Sequence, residues 1–69
     1  MNLKTKRHES GLTQKEVAML CGIIQSAYSH YETGRRHPKL QTLLKLSEIY
    51  ECTVDELLKE SYDNDKGRA

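Results

Sequence analysis

The chain has 69 residues, which is enough for one small domain of marginal stability and too few for a second hydrophobic core. Hydrophobic residues make up 36% of the sequence, and 11 basic against 10 acidic residues give a formal net charge of +1, a balance that argues against intrinsic disorder. The longest apolar run, residues 17–24, is far shorter than the roughly 20 residues of a membrane span, and no secretion signal opens the sequence.

Helix start and stop signals divide most of the chain into five short segments with helical periodicity. They predict helices over about residues 2–10, 14–21, 25–33, 40–50 and a short segment that begins at residue 54. No segment shows the alternation of a β-strand. The predicted fold is therefore all-α: a compact bundle of five short helices in a domain of residues 1–60, followed by a flexible C-terminal tail over residues 61–69.

Two of the predicted helices begin at a capping box, in which a threonine and a glutamate three residues later satisfy free backbone N–H groups. The two pairs are Thr13 with Glu16 and Thr53 with Glu56. Gly22 ends the helix that Thr13 begins, because glycine readily adopts the left-handed backbone found at helix C-termini. These local signals predict where the helices start and stop.

Apolar positions at helical spacing predict the core. Leu3 anchors the first helix, and Val17, Ala18 and Cys21 share one face of the second. The predicted buried face of the fourth helix comprises Leu40, Leu43, Leu44, Leu46, Ser47 and Tyr50. Ile49 lies outside this predicted buried face.

The second and third predicted helices are separated only by Gly22, Ile23 and Ile24. A turn of three residues cannot place two helices antiparallel with much overlap, so these helices must cross steeply around a small residue, Ala18. Tyr28 of the third helix is predicted to point inward at this crossing. The arrangement is a central helix–turn–helix, whose second helix can enter the major groove of DNA.

Charge is unevenly distributed along the chain. Residues 1–45 hold eight basic and three acidic residues, a net charge of +5, whereas residues 46–69 hold three basic and seven acidic residues, a net charge of −4. Such an asymmetry suggests that one surface binds a polyanion. A solvated surface of uneven charge is the alternative.

The cysteines and histidines argue against catalysis and metal binding. Cys21 and Cys52 are 31 positions apart and each lies in an apolar pattern, which predicts two buried thiols in a reducing compartment and hence a cytoplasmic protein. His8, His30 and His37 lack the spacing of metal ligands. Because no carboxylate pair or glycine loop is present either, we expect no enzyme activity, metal or cofactor.

A resemblance to the phage-repressor and Cro-like helix–turn–helix family is carried by residues 12–34 (LTQKEVAMLCGIIQSAYSHYETG), residues 38–40 with 42–43, and residues 53–57. It covers about residues 3–58 and rests on many positions at fixed spacing rather than on one tripeptide. The resemblance implies a lambda-repressor-like domain and a transcriptional regulator of double-stranded DNA. It further implies a homodimer, or a dimer assembled on DNA, that reads a near-palindromic operator. Repression is favoured over activation because a bound dimer only has to block polymerase.

The resemblance also assigns DNA contacts to individual residues. Gln25, Ser26 and His30 match base-reading positions of the third helix, and an exposed polar face without a reading role is the alternative. Gln14 matches the phosphate contact at the start of the second helix. Further phosphate contacts are expected from the loop after the third helix and from the first helix: Arg35, Arg36, Lys39, Lys6, Lys4 and Arg7.

The resemblance implies an ion pair between Arg7 and Glu32, since the matching positions often form one in relatives, and this pair is expected to join the first helix to the end of the third. Three residues depart from the family pattern: Ile24 and Lys39 replace helix-capping residues, and Lys6 replaces an apolar one. The missing cap at Ile24 costs about 1 kcal/mol, and its side chain either packs on the protein or touches a thymine methyl group. Lys6 leaves the first helix loosely docked unless its stem covers apolar surface.

Dimer contacts are expected from Ile49, Cys52 and Val54, near the last helix. Burial of these side chains under the last helix of their own chain is the alternative. Two other functions fit the same fold. One is a protein-interaction module, such as an antitoxin with an unknown protein partner, and the other is a controller protein of a restriction–modification system.

Overall fold

In the computed structural model, which describes residues 1–59, five α-helices follow one another along the chain. They are α1 (Leu3–Ser10), α2 (Gln14–Cys21), α3 (Gln25–Thr33), α4 (Leu40–Tyr50) and α5 (Val54–Leu58). No strand occurs among these 59 residues, and the predicted all-α fold is confirmed. Helix α1 begins one residue later than predicted, since Asn2 is its N-cap. The predicted tail, residues 61–69, lies outside the described residues.

Helices α2 and α5 begin at the two predicted capping boxes. In the first, the Glu16 N–H donates to Thr13 Oγ1 over 3.0 Å, and the Thr13 N–H donates to Glu16 Oε1 over 2.8 Å. The corresponding distances between Thr53 and Glu56 are 3.1 and 2.9 Å. The N-cap of α3 is Ile24, which makes no side-chain capping bond because an isoleucine side chain has no hydrogen-bond acceptor.

The turn between α2 and α3 is closed by backbone hydrogen bonds. Gly22 adopts a φ of 73°, a left-handed conformation that favours glycine. The N–H groups of Gly22 and Ile23 donate to the carbonyls of Met19 and Ala18 over 3.1 and 3.0 Å. Because the Ile23 side chain also packs against the core, the chain leaves α2 in a defined direction and α3 begins at Gln25.

Side chains from all five helices meet in one core. The buried residues are Leu3, Val17, Ala18, Tyr28, Leu46, Tyr50 and Leu57. Within this core the hydroxyl oxygens of Tyr28 and Tyr50 lie 2.6 Å apart and share a hydrogen bond. The bond satisfies two polar groups whose burial would otherwise cost free energy. Tyr28 points inward, as the sequence predicts.

The predicted buried face of α4 is only partly correct. Leu46 is buried and Leu43 packs against the core, but Leu40 and Leu44 are 66% and 49% exposed. Leu44 precedes Leu46 by two positions and so projects from nearly the opposite side of the helix, about 200° around its axis. Ile49, which was expected outside this face, follows Leu46 by three positions and packs against the core.

Candidate nucleic-acid interface

The N-terminal end of α3 faces solvent, while another side of the helix is buried in the core. Ile24, Gln25 and Ser26 are exposed, whereas Tyr28 is completely buried. Two of the three predicted base-reading residues therefore lie together at the accessible start of α3. The third, His30, is partly buried one turn after Ser26.

Ser29 is a polar residue of α3 that the predicted base-reading set lacks. It is partly exposed and follows Gln25 by four positions, which places it one turn further along the helix. Its helical spacing from Gln25 is the signal in the sequence that identifies it. A serine hydroxyl can donate or accept a hydrogen bond, so Ser29 extends the polar surface of the helix.

A basic loop, residues 34–39, follows α3 and is held against its last turn. The N–H of Arg36 donates to the carbonyl of His30 over 3.3 Å. Arg35 and Arg36 are exposed, and so is Lys39, the N-cap of α4, whose side chain makes no capping bond. Three of the predicted phosphate-binding side chains therefore lie on the surface of the segment that joins α3 to α4.

Gln14 occupies the first position of α2 and is partly buried. Its Nε2 donates to Glu32 Oε1 over 2.9 Å, so the amide links the start of α2 to the end of α3. An amide nitrogen carries two hydrogens, and this contact uses one of them. The link joins residues 18 positions apart, for which the sequence contains no local signal.

Arg7 and Glu32 form an ion pair between α1 and α3. The distance from Arg7 Nε to Glu32 Oε2 is 2.6 Å, and that from Arg7 Nη2 to Glu32 Oε1 is 3.5 Å. The guanidinium also donates from Nη1 to the carbonyl of Leu12 over 3.0 Å, which ties it to the segment between α1 and α2. The two side chains are 12% and 3% exposed, so solvent screens the pair poorly.

These contacts shift the proton affinities of the side chains involved. Burial acts to raise the pKa of Glu32, but hydrogen bonds from Arg7, Gln14 and Tyr28 outweigh it and hold the pKa below the ordinary value of 4.5. The hydrogen bond with Glu32 raises the pKa of Arg7. Burial raises the pKa of Tyr50 to about 12 and also raises that of Tyr28, so both phenols are neutral at physiological pH.

Lys6 lies near two carboxylates, those of Glu9 and Glu56. Its Nζ lies 3.8 Å from Glu9 Oε1, and its side chain is only 22% exposed. A backbone hydrogen bond from Thr53 lowers the pKa of Glu56, and the nearby charge of Lys6 lowers it as well. This low exposure agrees with the expectation that the aliphatic stem of Lys6 covers apolar surface, rather than leaving α1 loosely docked. Among the predicted phosphate contacts, its surroundings support that role least.

The three predicted dimer contacts, Ile49, Cys52 and Val54, are all partly buried. Ile49 and Cys52 pack against the core of their own chain, so only part of each side chain remains accessible. Larger apolar surface is exposed at Leu44 and Leu58, which are 49% and 51% exposed. The end of the molecule formed by α4 and α5 thus presents apolar surface, although the predicted residues supply only part of it.

Residues 1–59 were also compared with the expectations for a membrane span, a metal site and buried thiols. None of the helices in residues 1–59 is long and apolar enough to span a bilayer. In the same residues, no three His, Cys, Asp or Glu side chains converge as a metal ion would need. Cys21 and Cys52 are free thiols that are partly buried, less than predicted, and burial raises the pKa of each.

The helix-turn-helix family model matches residues 3–57 of the chain. The chain is 43% identical over 58 residues to the uncharacterized HTH-type transcriptional regulator YqaE of Bacillus subtilis, covering 84% of this chain and 50% of YqaE. It is 45% identical over 56 residues to the HTH-type transcriptional regulator ImmR of the same organism, covering 81% and 44%. The cryptic phage CTXphi transcriptional repressor RstR of Vibrio cholerae is 37% identical over 62 residues, covering 90% and 56%. The chain spans about half the length of these curated relatives.

One solved structure has a fold similar to that of the chain. The DNA-binding domain of the P22 C2 repressor, determined by nuclear magnetic resonance in solution, resembles the present fold with a TM-score of 0.80. The two are 25% identical in sequence, and the similarity covers 94% of this chain and 86% of that domain. Residues 3–57, which the family model matches, include the exposed start of α3, the basic loop and the Arg7–Glu32 pair. The chain therefore belongs to the helix-turn-helix family of DNA-binding transcriptional regulators.

Proposed function

We propose that the chain acts as a cytoplasmic DNA-binding transcriptional repressor, which reads a near-palindromic operator by inserting α3 into the major groove. The observation that carries this proposal is the exposed polar start of α3, flanked by the basic loop at the other end of the same helix. A major groove accepts an α-helix, and phosphates line both of its edges. Polar side chains at the start of α3 suit the base edges, and the cations that follow its C-terminal end suit the phosphates.

The base-reading roles follow from side-chain chemistry. Gln25 can bond adenine at two positions, N6 and N7, and so distinguish it from the other bases. Ser26 can donate or accept, and His30 can donate, which makes both less selective readers. Since His30 is partly buried and Gln25 is exposed, Gln25 carries the largest share of the proposed specificity.

The phosphate-binding roles are assigned to Arg35, Arg36 and Lys39 of the basic loop and to Gln14. All three cations are exposed, and Gln14 lies at the start of α2, where backbone N–H groups favour an anion. Lys6 contributes less, because its ammonium group already lies near Glu9.

The operator would be bound by two copies related by two-fold symmetry, with half-sites one helical turn, roughly 34 Å, apart. The accessible parts of Ile49, Cys52 and Val54, together with the apolar surface at the α4–α5 end, are the proposed contact between copies. Repression requires only that this bound dimer cover a promoter.

Sedimentation at increasing protein concentration, with and without operator, measures whether the dimer forms before or upon binding.

Selection of binding sites from a random duplex pool tests the proposal. We expect a near-palindrome whose base preference relaxes at one position of each half-site in Gln25→Ala, with a loss of discrimination of about 1–3 kcal/mol. Thr33→Ala is the matched control. Thr33 is exposed on the same helix, but its hydroxyl already donates a hydrogen bond to the carbonyl of His30. Binding without any enriched sequence would contradict specific readout, and no binding would favour a protein-interaction module.

A further inference from the structure

Two adjacent isoleucines at the turn have opposite environments. Ile23 packs against the core, whereas Ile24 is 71% exposed. Of the two interpretations that the sequence leaves open for Ile24, this exposure among the described residues favours contact with DNA over packing on the protein. A large β-branched side chain stands free in solvent at the start of α3, directly before the exposed Gln25 and Ser26.

The backbone of Ile24 is held in place by the helix that it begins. Its φ and ψ are −79° and 154°, and its carbonyl accepts hydrogen bonds from the N–H groups of Ala27 and Tyr28 over 3.1 and 3.3 Å. Tyr28 is completely buried, which anchors this first turn to the core. Isoleucine is a poor N-cap, because its side chain cannot accept from the free N–H groups of the helix. Its presence therefore weakens α3 and leaves apolar surface in water at one position.

Within a major groove only one base presents an apolar group. Thymine carries a C5-methyl group there, whereas the edges of the other three bases present hydrogen-bond donors and acceptors. Ile24 directly precedes Gln25, and both exposed side chains lie at the same end of α3. We propose that Ile24 contacts the C5-methyl group of a thymine and so selects thymine at one position of each half-site. This inference rests on the proposed DNA-binding function.

The test replaces thymine by uracil, which removes only the methyl group and keeps base pairing. Each thymine of the selected half-site is changed in turn, and the dissociation constant is measured by titration. At one position the parent protein should lose about fourfold in affinity, the fold-change that corresponds to ~0.8 kcal/mol for one buried methyl group. The Ile24→Ser variant should bind the two duplexes that differ by thymine or uracil at that position with equal affinity.

Ile24→Ser also controls for loss of folding. Serine is a favourable N-cap, so this variant should melt at a higher temperature than the parent while it loses its preference for the methyl group. Met19→Ser is the matched surface control, because Met19 is 70% exposed on α2 and lies outside the proposed DNA interface. That variant should keep the fourfold preference of the parent.

Three results would overturn the inference. They are a selected half-site without thymine, equal binding of thymine and uracil duplexes by the parent, and a full methyl preference retained in Ile24→Ser. In each of these cases the parent still binds a defined DNA sequence, so the proposed function survives. Failure of the parent to select any sequence would instead overturn the proposed function, and the inference with it.

Discussion

At the scale of single residues, Glu32 connects three helices. It lies near the end of α3, and its carboxylate accepts hydrogen bonds from Arg7 of α1 and from Gln14 of α2. One side chain thus holds α3, the proposed reading helix, against the two helices that precede it. Because Glu32 is only 3% exposed, removal of its cationic partner leaves a charge that water cannot fully solvate.

The first prediction concerns this pair. Arg7→Met should lower the free energy of unfolding by about 3 kcal/mol, because the poorly solvated carboxyl group of Glu32 loses its cationic partner. Lys4→Met removes an exposed cation from the same helix, and as the control it should change stability by less than about 0.5 kcal/mol. Chemical denaturation at neutral pH measures both. Combining Arg7→Met with Glu32→Leu should restore part of the loss, and equal stability of Arg7→Met and the parent would contradict the prediction.

The second prediction concerns the pH dependence of the same carboxylate. The folded-state pKa of Glu32 lies below its ordinary value of 4.5, so the ionised group stabilises the fold above pH 4.5. That stabilisation should be lost as the pH falls through the folded-state pKa. Carboxyl carbon chemical shifts, followed during acid titration, give this pKa directly. A value at or above 4.5 would show that burial outweighs the hydrogen bonds from Arg7 and Gln14.

At the scale of helices, the C-terminal ends of α1 to α4 follow one rule, a left-handed glycine, with one exception. Helices α1 to α4 are each followed by a residue in the left-handed conformation, and in the first three that residue is glycine. The exception is Glu51 after α4, with a φ of 54°. A side chain in this conformation costs about 1–2 kcal/mol, so the end of α4 is a site of avoidable strain.

We therefore predict that Glu51→Gly stabilises the domain. The relief of strain is partly offset by the greater freedom of glycine in the unfolded chain, which leaves a gain of about 1 kcal/mol or less. Glu48→Gly is the control within the same helix, and there the substitution should destabilise by about 1 kcal/mol. Thermal melts compare the two variants. Destabilisation of similar size in both would show that the left-handed backbone at Glu51 carries no cost.

At the scale of the whole molecule, the arrangement of charge supports one orientation on DNA. The exposed cations of the basic loop follow the C-terminal end of α3, while residues 46–59 hold four acidic residues and one basic residue. A polyanion attracts the first region and repels the second. The proposed binding mode thus turns α3 and the basic loop toward DNA and the acidic end away from it.

The salt dependence of binding tests this orientation. Arg36→Gln should weaken binding to operator and random duplexes by similar factors, and it should reduce the slope of log K against log salt by about 0.9. Lys59→Gln is the control, because Lys59 is an exposed cation just beyond α5. Its slope should match that of the parent. A slope changed by Lys59→Gln and not by Arg36→Gln would reverse the proposed orientation.

Helix boundaries were predictable because their determinants are close together in the chain. Thr13 and Glu16 are three positions apart, and Gly22 ends the helix that they begin, so their pattern needs no knowledge of the rest of the fold. The exposed face of α4 was not predictable in the same way. Leu40 and Leu44 are four positions apart, as on one helical face, but that face differs from the one that carries Leu46, and both side chains are exposed among the described residues.

The amino-acid sequence was sufficient for the five helices, the tight turn between α2 and α3, and the family resemblance, since each depends on residues at short, fixed spacing. Packing between helices determined the rest. It joined Gln14 to Glu32 and Tyr28 to Tyr50, and it left Ile24 in solvent while Ile23 entered the core. These outcomes depend on contacts between residues far apart in the chain, and a local pattern carries no information about which helix will lie across from which.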